Sequence, residues 1–242
     1  MRMGFKDDCM TAVRDIIKTD FNARWAKVVP TTDTVAQKDG AVYLDAAYLY
    51  ADMADSTGMA AKFTAQDAAK IIRAYLHAVS RVLRDRGGEI RSFDGDRVMA
   101  IFIGDDAANQ ATDAALRITS VVGDIVHDQL LTYSDAYYDE WIRSSWRVRH
   151  RTGIDVGTAL IVRAGVRGNS DLVSIGDAPN IAAKLSDFKG GGTTIISDRV
   201  WDQLSMKNSF KNEECMWKFH GEVQIGSRKE TVCSSTWKRP YA

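Results

Sequence analysis

Cysteine, proline and net charge are all scarce in this chain. Three cysteines among 242 residues, Cys9, Cys215 and Cys233, are too few and too scattered for a disulfide framework or a zinc site. Only 3 prolines and no low-complexity stretch interrupt the chain. No self-similarity at the 20–50-residue periods of repeat proteins is present, which excludes a solenoid. The 32 basic and 32 acidic side chains cancel, so no global basic field draws the chain to nucleic acid, although a local basic patch stays open. No apolar run approaches the ~18–20 residues of a membrane span. The opening stretch MRMGFKDDC is polar and acidic, unlike a secretory signal. What is present is 45% hydrophobic and 26% charged residues, enough for one full core. The expectation is a cytoplasmic domain in a reducing compartment, with neither a membrane nor a nucleic-acid partner.

Residues 5–27 read as a helix, because Cys9, Val13, Ile16, Ile17, Phe21 and Trp25 recur near helical spacing. Residues 30–40, PTTDTVAQKDG, read as a linker, which makes 1–40 an N-terminal extension on a domain spanning 41–242. That domain opens with a strand at 47–53. A long helix at 66–86 carries Ala69, Ile72, Leu76, Val79 and Leu83 on one face and ends at Gly87-Gly88. Strands at 89–93 and 97–103 flank Asp94-Gly95-Asp96, a strong hairpin signal. A helix at 105–128 and a short aromatic helix within 130–146 follow. The spacing then predicts strands at 148–157 and 159–166, a helix from Pro179 to 187, a short strand in GGGTTIIS, a short helix in SDRVWDQL, and two strands within 216–237. The central β-α-β-β-α-β order is the split βαβ, ferredoxin-like pattern. It predicts an α+β fold, an antiparallel sheet with helices on one face.

Two acidic positions stand out. Asp52 ends an otherwise apolar and aromatic strand, and Asp96 sits at the hairpin. In the split βαβ layout the first strand lies beside that hairpin, so the carboxylates can converge into a set suited to hard divalent cations and phosphates. The small-residue turn ADSTG (54–58) leads into a helix whose first amides can hold an anion. Spacing by itself leaves open that Asp96 is only a turn residue and Asp52 only a helix cap.

The wider sequence contains, in one order, YLYADMADSTG, GGEIRSFDGDRVMAIF, RTGIDVGTALIV, SIGDAPNIAAKL and GGGTTIISDRVWDQL. Together they resemble the catalytic domain of class III nucleotidyl cyclases, the adenylate and guanylate cyclase family, over about residues 45–237. The resemblance implies conversion of a nucleoside triphosphate to a 3′,5′-cyclic monophosphate and pyrophosphate with two divalent cations, magnesium or manganese. It places the metals on Asp52, Asp96 and the backbone carbonyl of Met53. It assigns Asn180 to the ribose and Lys184 to the transition-state phosphate. Four apart, these two share a helix face. Lys184 stands where the family carries arginine, keeping the charge but losing the bidentate fork. A surface lysine and a capping asparagine are the plainer alternative. The resemblance further implies a head-to-tail homodimer, one subunit giving the aspartates and the other the helix with Asn180 and Lys184.

The base-selecting positions depart from the purine pattern. Purine cyclases carry a polar pair where this chain has Ser92 and Val173, and those two cannot reproduce either purine hydrogen-bond set. Tyr50, two before Asp52, shares its strand face and would shorten the pocket. Arg97 offers donors to the two carbonyl oxygens of uracil. The alternative is that Tyr50 packs in the core and Arg97 pairs with a carboxylate, since strand alternation turns Arg97 away from Asp96. The pattern resembles the pyrimidine cyclases of bacterial Pycsar-type antiphage systems, which implies cyclic UMP or cyclic CMP made during infection and sensed by a separate effector protein; the pocket residues favour UTP as substrate. CTP or ATP as substrate, or a catalytically silent nucleotide-binding module, are the alternatives. His77, His127, His150 and His220 are isolated and lack metal spacing, and the triple glycine 190–192 reads as a turn.

Overall fold

The computed structural model describes residues 4–166 and 168–241; of the polar opening stretch, residues 1–3 lie outside them. The chain divides into two units, one of residues 1–44 with 158–176, the other of 45–157 with 177–242.

In the larger unit the sheet order is β10-β11-β7-β5-β2-β4-β3. The strands are β2 (Gly40–Met53), β3 (Glu89–Asp94), β4 (Arg97–Phe102), β5 (His150–Val166), β7 (Thr194–Ser197), β10 (Lys218–Ile225) and β11 (Arg228–Ser235). The sheet is mixed: β4 runs antiparallel to β2 and β3, and β7 parallel to β5. The β3–β4 turn is the Asp94-Gly95-Asp96 hairpin, with Asp94 opposite Arg97.

Two helices supply most of the core against this sheet. α2 (Ala65–Asp85) buries Ile71, Tyr75, Val79, Val82 and Leu83. Its N-terminus is capped by Thr64, whose hydroxyl accepts from the Asp67 amide at 3.2 Å, a contact worth about 1 kcal/mol. α3 (Ala107–Ser120) is buried along most of its length through small residues such as Ala111, Ala114 and Ala115. It continues through a π-helical turn (Val121–Val126) into α4 (His127–Tyr133), so the helix expected at 105–128 is longer and changes its winding. α5 (Asp135–Ser144) is the short aromatic helix. The Tyr137 hydroxyl accepts from the Val148 amide at 2.9 Å and so fixes the entry into β5.

α6 (Asp177–Ser186) lies directly on β5 because Gly153 has no side chain. A Cβ there would stand 2.8 Å from the Leu185 carbonyl carbon and nearer still to the backbone of Ala182 and Ser186. The chain then forms α7 (Asp198–Trp201), α8 (Met206–Ser209) and a small ladder of β8 (Phe210–Lys211) with β9 (Glu214–Cys215).

The smaller unit corrects the N-terminal expectation. α1 ends at Lys18 in helix Phe5–Lys18, since Thr19 is extended, and Asn22–Trp25 form strand β1, paired in parallel with the start of β2. Phe21 and Trp25 mimic helical spacing, but Phe21 lies beyond the end of the helix and Trp25 in β1. The two strands expected at 148–157 and 159–166 are one, because β5 runs unbroken through Gly157. It is followed by an unforeseen antiparallel partner, β6 (Asn169–Ile175), with Leu160 opposite Ile175. The segment read as a linker is tied to this hairpin. Arg163 donates to the Thr32 carbonyl at 2.9 Å, and Gln37 to that of Gly165 at 3.3 Å. Among the described residues no helix is long and apolar enough to cross a membrane.

Candidate active site

The two aspartates come together because β2 and β4 are neighbours in register. Ala51 faces Val98, so Asp52 lies one step on, beside the hairpin end that carries Asp96 and Arg97. Alternation along β2 buries Ala51 and Met53 while Tyr50 and Asp52 look to the half-open face. Tyr75 of α2 lies close to both carboxylates. Burial first, then the charges of Asp52 and Asp96, push its phenol well above the ordinary range. Its hydroxyl and the Asp96 Oδ2 are both buried without a hydrogen-bond partner among the described residues. A buried carboxylate oxygen with no partner is costly. Together with Asp52, it makes an all-oxygen donor set of the kind that hard cations take. Among the described residues no group of three or more His, Cys, Asp or Glu side chains gathers for a metal. Asp52 and Asp96 are the two carboxylates that could hold a cation here.

Arg97 does not point away from this centre. Its Nη2 donates to Asp52 Oδ2 at 2.9 Å and to Asp187 Oδ1 at 2.7 Å. Burial lowers its pKa, but the Asp52 hydrogen bond and the surrounding carboxylates outweigh that and raise it, so the guanidinium stays charged. The neighbouring Tyr50 phenol is raised by burial, partly offset by Arg97. Ser92, Met99 and Tyr50 form one row across β3, β4 and β2. The exposed Ser92 donates only a weak contact to the Met99 sulfur at 3.9 Å. Val173, on β6 in the smaller unit, faces Val162 and is 44% exposed.

Asp52 and Met53 line a cleft of about 990 Å³ that also holds Ser56, Thr57, Arg147, Arg149, Arg151 and Lys189. The three arginines alternate with Val148, His150 and Thr152, which are buried, so one side of an extended segment is cationic. The ADSTG turn enters a six-residue 3-10 helix (Ser56–Ala61) rather than α2, with Asp55 in the left-handed region at φ 64°. The helix N-terminus expected as an anion seat is therefore too short for that role. Asn180 and Lys184 are exposed on α6 and do not line this cleft. The end of α6, by contrast, reaches the cleft through Ser186, and Asp187 just beyond it meets Arg97.

Asp187, Tyr75 and the arginine row escaped the sequence reading. The row had a signal, R-x-R-x-R at period two. Asp187 had none, since it meets Arg97 from 90 positions away.

No protein-family model matches the chain. It is 36% identical over 241 residues to a uridylate cyclase from Rhodovulum sp. (strain MB263), covering 98% of this chain and 99% of that one. It is 33% identical over 238 residues to a uridylate cyclase from Xanthomonas perforans, covering 98% of each. A bacterial light-regulated adenylyl cyclase superposes with a TM-score of 0.67 at 18% identity, over 85% of this chain. The chain spans only 55% of that structure's length, and the likeness establishes the fold. With two relatives matched from end to end at this identity, the chain belongs to the uridylate cyclase family.

Proposed function

We propose that this enzyme cyclises UTP to 3′,5′-cyclic UMP and pyrophosphate, in a head-to-tail homodimer. The observation that carries the reading is the meeting of Asp52 and Asp96 at the β2–β4 edge, with one carboxylate oxygen buried and unpartnered. Asp52, Asp96 and the Met53 carbonyl would hold two divalent cations, magnesium or manganese, which when bound acidify the 3′-hydroxyl and offset charge on the departing pyrophosphate. The 3′-oxygen forms a bond to the α-phosphorus, the bond from that phosphorus to the β-phosphate bridge breaks, and the hydroxyl proton leaves to solvent. The chain's own part is positioning and charge neutralisation. Arg147, Arg149, Arg151 and Lys189 face the cleft as donors for the triphosphate, with the hydroxyls of Ser56 and Thr57 beside them.

Asn180 and Lys184 serve the ribose and the reacting phosphate of the partner's site. Both are exposed on α6, where a partner subunit can reach them. Ser92 and Val173 lack the groups that read a purine edge, while Tyr50 and Arg97 shorten the pocket and offer a cationic donor to uracil. Release of Arg97 from Asp52 would free its fork for that contact. The likeness to Pycsar-type cyclases adds the cellular reading: a cytoplasmic second messenger made during phage infection and sensed by a separate effector, with no nucleic-acid or membrane partner. The test is incubation with all four ribonucleoside triphosphates and Mn²⁺, with products resolved by mass. Cyclic UMP as the main product is expected. Cyclic AMP as the main product overturns the pyrimidine reading, and no cyclic product at all overturns the catalytic one.

A further inference from the structure

The β10–β11 turn is fastened to α6 at two points. Ile225, 3% exposed, packs in one apolar cluster with Ile181 and Leu185 of α6 and with Ile195 and Val232. On the other side of the turn, Arg228 pairs with Asp177 in the first turn of α6 at 2.5 Å. Between them the turn consists of Gly226 and Ser227, with Ile225 opposite Arg228 and Gln224 donating to the Gly226 carbonyl at 2.9 Å. Gly226 has φ 61°, a conformation glycine adopts without strain. It also lies directly under Lys184. A Cβ on Gly226 would stand 2.8 Å from both Cδ and Cε of Lys184, and nearer still to its Nζ. Among the described residues Lys184 is in no ion pair, so no carboxylate fixes the direction of its ammonium group.

We infer that this turn is the platform that sets the position of Lys184, and that Gly226 is the positioning residue in it. The inference rests on the reading of Lys184 as the cation that meets the reacting phosphate. A lysine needs such a platform more than an arginine would. It ends in a compact charge on four rotatable carbons, with no planar fork to hold its direction. The bare glycine lets the stem lie flat against the turn, and the buried Ile225, more than the exposed Arg228–Asp177 pair, keeps that turn at a fixed height beneath α6. The three atoms nearest to a Cβ added at Gly226 all belong to the flexible end of Lys184, so a side chain there displaces the ammonium first.

Two substitutions separate this crowding from backbone strain. Gly226→Ala brings both a Cβ and an unfavourable φ, whereas Gly226→Asn brings a Cβ on a residue that tolerates φ above zero. The position of Lys184 is read from the ¹³C-dimethyl-lysine NMR signal that disappears in Lys184→Arg. Both Gly226 variants are expected to shift that signal, and an unchanged signal in either overturns the inference. In turnover of UTP, each is expected to lower kcat about tenfold with KM changed less than about twofold, and to add nothing further in a Lys184→Ala background. A loss that multiplies on top of Lys184→Ala, or one confined to Gly226→Ala, shows a structural effect of the turn and overturns the inference. Wild-type kcat in Lys184→Ala instead removes the catalytic reading of Lys184, and the NMR signal then decides the platform by itself.

Discussion

Arg97 Nη2 lies 2.9 Å from Asp52 Oδ2, so a residue expected to face a base is seated on the carboxylate expected to face a metal. The same nitrogen holds Asp187 at 2.7 Å, which gives Arg97 a second seat when Asp52 is engaged elsewhere. Both partners are partly solvated, so the pair itself adds little to stability. Arg97→Ala is therefore expected to lower turnover of UTP by roughly 10- to 100-fold, the worth of a hydrogen bond to a charged donor, with little change in melting temperature. The check is kcat/KM on all four triphosphates. A loss confined to UTP fits base reading, and an equal loss on every nucleotide identifies a phosphate contact instead.

Asp96 offers a prediction in which stability and activity move in opposite directions. Its Oδ2 is buried without a partner, whereas Asp52 has Arg97. Asp96→Asn replaces the carboxylate by a neutral amide of equal size, which costs less than a charged group to leave with a buried polar atom unpartnered. The expected result is an unchanged or raised melting temperature in metal-free buffer, together with loss of cyclase activity. Asp52→Asn also abolishes turnover, but gives no such gain. Near-normal activity in either variant removes the two-metal assignment.

The composite site is tested by mixing two dead enzymes. Asp52→Asn lacks the metal side and Asn180→Ala the ribose side, so in a heterodimer both lesions fall in one site and leave the other intact. With full exchange, half the dimers are mixed and activity returns to about a quarter of wild type. Subunit exchange shown by native mass spectrometry, without any return of activity, would sink the shared-site reading.

The parts of the fold that were legible follow from local chemistry. The helical spacing of Ala69, Ile72, Leu76, Val79 and Leu83 marked α2, though the face it buries is Ile71, Tyr75, Val79, Val82 and Leu83, with Ile72 and Leu76 half-buried and Ala69 exposed; Asp94-Gly95-Asp96 marked the hairpin. Both bury one clear face or need one special turn. β1 was illegible because all four of its residues, Asn22–Trp25, are exposed, so no alternation reports the strand. β6 has a strict alternation of half-buried and exposed positions, but its contrast is shallow and it overlaps the motif that opens α6. In the site, Asp52, Asp96 and Tyr50 could be placed from strand phase. The Arg97–Asp52–Asp187 bridge could not, because it depends on where the end of α6 meets the sheet.

His150 supplies a pH dependence. It is fully buried in the core side of the arginine row, with its Nε2 3.3 Å from the Thr119 hydroxyl, and burial lowers its pKa from 6.5 to about 4. A histidine with a depressed native pKa binds fewer protons folded than unfolded between those two values. Stability is therefore complete above about pH 6.5 and is lost as pH falls toward 4. Between pH 7.5 and pH 5 the expected loss is about 2 kcal/mol. Urea unfolding at the two pH values measures it. His150→Gln should flatten that slope whatever its effect on stability at pH 7.5, and an unchanged slope would assign the acid sensitivity elsewhere.

Tyr50 carries the base-size argument. Its ring is half-buried on the same face as Asp52, and the row from Ser92 through Met99 to Tyr50 forms a continuous wall across three strands. The row offers no amide, carboxylate or ammonium to a base edge: a hydroxyl turned to a sulfur, a thioether and a phenol. On the proposed reading, exclusion of purines falls to the volume of the phenol ring, and recognition of the pyrimidine to donors nearby. Tyr50→Ala should open the wall by a ring's width and raise kcat/KM for ATP and GTP relative to UTP by about tenfold or more, the scale of a few buried methylenes. Tyr50→Phe keeps the ring and should keep the discrimination, even if the lost hydroxyl lowers the absolute rate. Competition assays with mixed triphosphates, read by mass, give the ratio directly. A UTP-to-ATP ratio unchanged in Tyr50→Ala would mean that the wall does not meet the base, and that selection lies with Arg97 or with groups across the dimer.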